Sequence, residues 1–187
     1  LNHSFDPDKG FAHASLSRDI ICFLGRCIPV TYEKVTDHNR ERVTAFIQQH
    51  WYTTTMVVRG KAVDMTKVEG YLCQENHAIL GLVTFLARGA ALEIVSLNSM
   101  VGNRGIGGKL VSLVVEEARA RGCHKVVLVA TNDNINAIRF YQKQGFDMAR
   151  LHRNALDLSR KLKPEIPLIG ENGIPMRHEI EFEKVLD

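Results

Sequence analysis

The chain lacks any apolar run long enough to cross a bilayer as a helix, which removes the simplest integral-membrane reading. The apolar stretch at residues 20–24 is too short for the hydrophobic region of a secretory signal, and Arg18 and Asp19 stand directly before it. Excess charge is also missing. Twenty-four Lys and Arg against 21 Asp and Glu leave a net charge of +3, with no clustered basic face of the kind a nucleic-acid binder presents. Only four cysteines occur, Cys22, Cys27, Cys73 and Cys123. No two form a Cys-x-x-Cys pair and no His-x-x-x-His accompanies them, so neither a zinc site nor a disulfide framework is expected and no metal is called for. Free thiols suit a reducing, cytoplasmic setting. Low-complexity tracts and internal repeats are absent.

What remains is an ordinary globular composition, with 45% hydrophobic and 24% charged residues over 187 positions. This length suits one domain with its own core. Residues 1–29 show no clear period and read as an N-terminal extension of unknown role. The chain opens at Leu1 rather than Met, so its first residues read as a processing remnant, an added tag or part of a longer upstream piece. The organised domain is expected over residues 30–187.

Periodicity predicts a strand at 30–35. A helix follows, capped by Asp37, with Val43, Phe46 and Ile47 on one face. Strands are expected at 53–59, 78–85 and 91–97, the last two forming a hairpin about Arg88-Gly89. Residues 107–121 carry an apolar stripe of Leu110, Val111, Val114, Val115 and Ala118, and Gly122 ends that helix. Residues 125–130 are the continuous apolar run of a buried parallel strand. A second helix spans 134–144 and stops at Gly145; closing strands are expected at 146–151 and 179–185. The order places helices against a mixed sheet, an α/β layer.

Residues 101–110, Val-Gly-Asn-Arg-Gly-Ile-Gly-Gly-Lys-Leu, lie between a strand and a helix. Glycines let backbone N–H groups point inward, and the helix start adds unpaired donors and a favourable dipole, which together make a phosphate cradle. An ordinary flexible turn would have the same composition. Spacing rejects two familiar loops. A P-loop needs glycine where Asn103 stands and Ser or Thr where Leu110 stands; a dinucleotide fingerprint needs a third glycine at Leu110.

Arg104-Gly105-Ile106-Gly107 before an apolar helix resembles motif A of the GNAT acetyltransferases, [QR]-x-x-G-x-[GA]. Asn134, Ala137, Tyr141, Gly145 and Phe146 match the family's N-x-x-A-x-x-x-Y-x-x-x-G-F pattern at every named position. Gly102 stands where the family usually carries Gln or Arg. The resemblance covers roughly residues 30–187. It implies a GNAT fold, with a central mixed, mostly antiparallel twisted sheet of about six to seven strands flanked by about four helices. It also implies acetyl-CoA as cofactor, its pyrophosphate held mainly by the backbone of residues 104–108. The cofactor-binding residues would be Leu97, Asn98, Ser99, Asn103, Arg104, Gly105, Ile106, Gly107, Gly108, Asn132, Asn134, Ala137 and Tyr141. The strand end at 97–100 is expected to splay from the strand at 125–130 and admit the pantetheine arm.

Acetyl transfer to an amine needs a neutral nitrogen, a stabilised oxyanion and a proton for the departing sulfur. The resemblance places Tyr141 beside that sulfur. Its ordinary pKa of about 10 lies above a thiol's, about 8.5, so it stays protonated. Phe140 and Tyr141 cannot share one helical face, so one should pack in the core and the other face the cleft. Glu93, mid-strand among apolar residues, is the candidate general base, with an exposed strand position as the equal alternative. Asn134 reads as a helix N-cap as well as a contact to the cofactor arm.

Trp51, Tyr52 and Arg59 border the expected acceptor pocket, and residues 163–176 form a loop over it. Glu165, Glu171, Glu179, Glu181 and Glu183 make the C-terminal part acidic, one reading of which is attraction of a cationic amine. Glu179, Glu181 and Glu183 read best as an alternating, solvated edge strand. His152 and His178 read as exposed. The acceptor is expected to be an amine of a small molecule or peptide, with no nucleic-acid or membrane partner; free strand edges are compatible with a homodimer. The alternative is a non-catalytic acyl-CoA-binding or interaction module on the same fold.

Overall fold

A computed structural model describes residues 17–23, 26–102 and 104–187. Strand β1 (Ser17–Phe23) pairs antiparallel with β2 (Arg26–Lys34), so β2 runs across the boundary drawn at residue 30. Helix α1 (Asp37–Trp51) follows. Its cap is Thr36 rather than Asp37: Thr36 has extended backbone, and its N–H donates to Asn39 Oδ1 at 2.9 Å. Asp37 is instead the first helical residue, where its charge suits the dipole. Val43, Phe46 and Ile47 are buried, as their spacing predicts.

Strands β3 (Thr55–Val58) and β4 (Lys61–Asp64) form a separate two-stranded hairpin. Arg59 and Gly60 turn it, both at positive φ (52° and 67°), which matches the tight two-residue turn that suits twisted strands. Then come β5 (Glu69–Glu75), β6 (Ala78–Arg88) and β7 (Ala91–Ser99), helix α2 (Ile106–Ala120) and β8 (Lys125–Thr131). Helix α3 (Ile135–Lys143), β9 (Asp147–His152), α4 (Ala155–Leu162) and β10 (Glu179–Val185) complete the order.

The main sheet has eight strands in the order β1-β2-β5-β6-β7-β8-β10-β9. Of its neighbouring pairs only β7 with β8 is parallel; the others are antiparallel. The sheet is thus mixed and mostly antiparallel with helices on it, as the resemblance implies, but wider by the β1 strand and by β5. One core joins the sheet to α2 and α3, through Leu110, Val114 and Phe182. The other joins it to α1 and the β3–β4 hairpin, through Ile47, Val63 and Met65.

Strand β10 corrects the sequence reading most. It lies between β8 and β9, paired on both sides, so it is an interior strand and not a solvated edge. Glu179 is only 4% exposed. Of the cysteines, Cys73 is free and buried and Cys123 free and half-buried. Cys22 and Cys27 have side chains outside the described residues.

Candidate active site

The site begins with a defect in the sheet. Strands β7 and β8 pair only from Ala91 opposite Lys125 to Ile94 opposite Leu128. There β7 carries a bulge: Phe85 of β6 faces Ile94 and Thr84 faces Ser96, leaving Val95 as the extra residue. A bulge bends its strand and raises the local twist, which drives the two parallel strands apart. Beyond it, β7 stays paired to β6 and β8 stays paired to β10. The edges facing each other across the gap therefore offer unpaired backbone N–H and C=O groups. The splay expected from the sequence sits at this point.

The gap opens into a cleft of about 360 Å³. Leu97 of β7, Thr131 of β8, and Asn134, Ala137 and Tyr141 of α3 and its cap line it. Trp51, Met56, Leu156, Met176 and Glu179 also line it, Glu179 beside its register partner Thr131. Asn134 caps α3, its Oδ1 accepting from Ala137 N at 2.9 Å. Asn98 Oδ1 accepts from Trp51 Nε1 at 3.0 Å, tying the end of β7 to the end of α1.

The glycine loop meets the same place. Gly105 caps α2 with φ of 74°, a left-handed conformation that glycine takes without cost. The first turn of α2 leaves its leading amides without helical partners. A Cβ on Gly107 would lie 3.3 Å from the Phe140 ring and 3.9 Å from Leu97. The loop, the end of β7 and α3 thus converge, and the glycines serve close helix packing as well as donor exposure. Asn103 lies outside the described residues.

Tyr141 is 8% exposed and packs edge-on against Phe140 and Phe146, with Phe182 6.0 Å away. It still lines the cleft, so it is core and cleft wall at once. Burial pushes its phenol well above the usual value, which keeps the hydroxyl protonated. Phe140 is the half-buried neighbour, wedged at Gly107.

Two assignments change. Glu93 is fully buried rather than exposed, and it does not line the cleft. Its Oε1 accepts from Arg59 Nε at 2.8 Å and its Oε2 accepts from Arg88 Nε. Arg59 Nη1 also donates to Glu181 Oε2 at 2.9 Å, and His152 Nε2 lies 2.7 Å from that same oxygen. Burial opposes the Glu181 charge, but His152 and Arg59 hold its pKa below the usual carboxylate range. Glu93 therefore anchors an ionic network that pins the β3–β4 turn to the sheet, each of its oxygens accepting from a guanidinium group. Asn132 likewise acts as a clip: Oδ1 accepts from Arg177 N and His178 N, and Nδ2 donates to Pro175 O. Its amide holds the segment before β10. Ser99 donates to Val101 O at 3.1 Å.

Glu179 is the residue that sequence reasoning missed. It stands in the cleft wall, and its Oε2 has no hydrogen-bond partner among the described residues. Burial raises its pKa; His152 and Arg59 pull it down and Glu93 pushes it up. The Glu-x-Glu-x-Glu alternation contains no local signal to separate Glu179 from its neighbours, because the difference is which strands flank β10.

The model of the acetyltransferase (GNAT) family matches residues 32–146, more than half of the chain. The chain belongs to the GNAT acetyltransferase family. The Bacillus subtilis (strain 168) protein YdhI, itself uncharacterised, is 41% identical over 149 residues, spanning 79% of this chain and 93% of that protein. Among solved structures, an IAA acetyltransferase from Bacillus cereus superposes with a TM-score of 0.61 at 21% identity, covering 84% of this chain and 99% of that one. A GNAT acetyltransferase from Elizabethkingia anophelis, solved with acetyl-CoA bound, superposes with a TM-score of 0.58 at 22% identity, covering 84% and 98%. At these identities the structural likeness speaks for the GNAT fold.

Proposed function

We propose that this GNAT member is an acetyl-CoA-dependent N-acetyltransferase that moves an acetyl group directly to a primary amine. The observation that carries the reading is the β7–β8 splay, with the glycine-capped start of α2 packed close to Leu97 at the end of β7 and a buried, protonated Tyr141 in the cleft wall. The residues present suit the cofactor on their own chemistry. Backbone amides of residues 105–108 would hold the pyrophosphate, and the unpaired edge of β7 at residues 95–99 would hold the pantetheine arm. When bound, acetyl-CoA supplies an activated acetyl thioester. Tyr141 keeps a proton at its hydroxyl throughout the neutral range, available to a departing thiolate. The apolar walls exclude water, which would otherwise compete with the amine.

Ligand binding to the native state stabilises it by RT ln(1 + [L]/Kd) and so raises the melting temperature. CoA and acetyl-CoA should stabilise the protein and ATP should not. Trp51 is the single tryptophan and lies in the cleft wall, so its fluorescence should change on the same titration. Failure of every CoA species to shift either signal would refute the cofactor assignment. A panel of amines read by free-thiol release then tests N-acetylation.

A further inference from the structure

The half of the cleft away from the glycine loop is built from Trp51, Met56, Val58, Leu156, Ile166 and Met176. These are apolar or aromatic faces from α1, β3, α4 and the segment before β10. Glu179 is the carboxylate of the cleft lining; the residue is 4% exposed, and its Oε2 is buried with no hydrogen-bond partner among the described residues. Burying an ionisable group without a partner is costly, and such a group persists where it meets a ligand. Elsewhere the acidic side chains around the cleft are engaged. Glu93 is ion-paired with Arg59 and Arg88, and Glu181 with Arg59, with His152 Nε2 2.7 Å from Glu181.

We infer that the acceptor is a primary amine on a small apolar body, and that Glu179 both docks its nitrogen and takes up its proton. The inference rests on the acetyl-transfer reading above. A single buried carboxylate complements one positive charge; a polycation would carry further charges into an apolar wall with no anion to meet them. Glu179 removes one proton from the bound ammonium and leaves a neutral amine. Its lone pair forms the C–N bond as the thioester C–S bond breaks. The Tyr141 hydroxyl gives its proton to the sulfur and is restored by the proton that the nitrogen sheds. Glu179 then returns its proton to water, so the products are amide, free thiol and one released proton.

The charged groups facing Glu179 are His152 of β9, Arg59 of the β3–β4 turn and Glu93 of β7; Thr131 of β8 lies opposite it in register. Burial raises the carboxyl pKa above that of an exposed glutamate, and His152 and Arg59 offset part of that rise.

The test compares wild type and Glu179→Gln with phenethylamine, hexylamine, spermidine and a neutral isostere, phenylpropane. Wild type should acetylate the two monoamines in preference to spermidine, and phenylpropane should not compete. Glu179→Gln should lower kcat/KM for phenethylamine by about 10²-fold or more and flatten the acid limb of its pH profile. A readout without turnover runs beside it. Glutamine carries no burial penalty for charge, so the variant should melt higher than wild type above the raised carboxyl pKa, with the gap closing as pH falls toward 4.5, the ordinary Glu value. The CoA-induced melting shift should survive in the variant, which shows that its cofactor site and fold are intact. Spermidine as the better substrate, or variant activity within about threefold of wild type with an unchanged pH profile, would overturn the inference. Loss of the CoA shift in wild type would instead refute the cofactor reading beneath it.

Discussion

Replacing Glu93 by glutamine separates two roles that a mid-strand glutamate can have. In the structure both of its oxygens accept from guanidinium groups, and the side chain is fully buried. Breaking a buried ion pair by removing one charge costs about 3–5 kcal/mol, because the partner is stranded. Here the partners are not wholly stranded: Arg59 and Arg88 side chains are 28% and 34% exposed, and Arg59 keeps Glu181. Glutamine also retains one acceptor oxygen. The expected loss is therefore smaller, about 2–3 kcal/mol, and a chain of this size shifts by about 2–4 °C per kcal/mol, so Tm should fall by about 4–12 °C. Raising salt should not erase the difference, since buried pairs are weakly screened. The folded variant, assayed by free-thiol release across pH at a temperature below its melt, should keep the pH–rate profile of the wild type. An unmoved Tm together with a lost acid limb would refute this reasoning and restore Glu93 as the base.

Tyr141→Phe removes only a hydroxyl from a ring held by Phe140, Phe146 and Phe182; kcat should fall by about 10²-fold or more while the CoA-induced melting shift stays, as read by thiol release and thermal shift. Gly81→Ala should destabilise by about 1–3 kcal/mol in denaturant melts. The new Cβ would sit 2.6 Å from Ile106 Cγ2 and 3.1 Å from the Asn98 carbonyl oxygen, and displacing the first turn of α2 should also weaken CoA stabilisation. Burial works against the Glu117 charge, yet Tyr71, Lys34 and Arg121 outweigh it and hold its pKa at about 2. Its folded pKa is depressed, so its stabilisation is present above the ordinary value of 4.5 and is lost as pH falls toward 2; Glu117→Gln should lower Tm at neutral pH and lessen its acid dependence across that window.

Local signals carried much of the fold. Gly122 and Gly145, both at positive φ, end α2 and α3 where the sequence placed those ends. The unbroken apolar run of β8 marked it as a buried parallel strand, and Arg88-Gly89 marked the β6–β7 hairpin. Strand β5 escaped because Glu69, Gly70 and Gln74 interrupt its pattern, although Leu72 and Cys73 are fully buried. Helix α4 escaped because only Leu156 and Ser159 of its residues are buried, too few to show a period. Glu179 read as a solvated edge position, and exposure was the alternative for Glu93, yet both are buried, for one shared reason. Alternation tells which side chains lie on one face of a strand, but not what covers that face. The arginines that pair with Glu93 come from the β3–β4 turn and the end of β6, and the walls around Glu179 combine α4 and the segment before β10 with α1 and β3, more than a hundred residues away.

The position of β10 has a consequence for how the molecule comes together. It follows both β8 and β9 in the chain yet lies between them. Neither neighbour can complete its hydrogen-bond ladder on that side until β10 is inserted, so this half of the sheet closes by filling a slot and not by adding a strand at the rim. A growing chain that pauses before residue 179 holds two open strand edges and an unwalled cleft, a state in which pairing with another chain competes with self-completion. Closing this half of the sheet and setting Glu179 into the cleft wall are therefore one step.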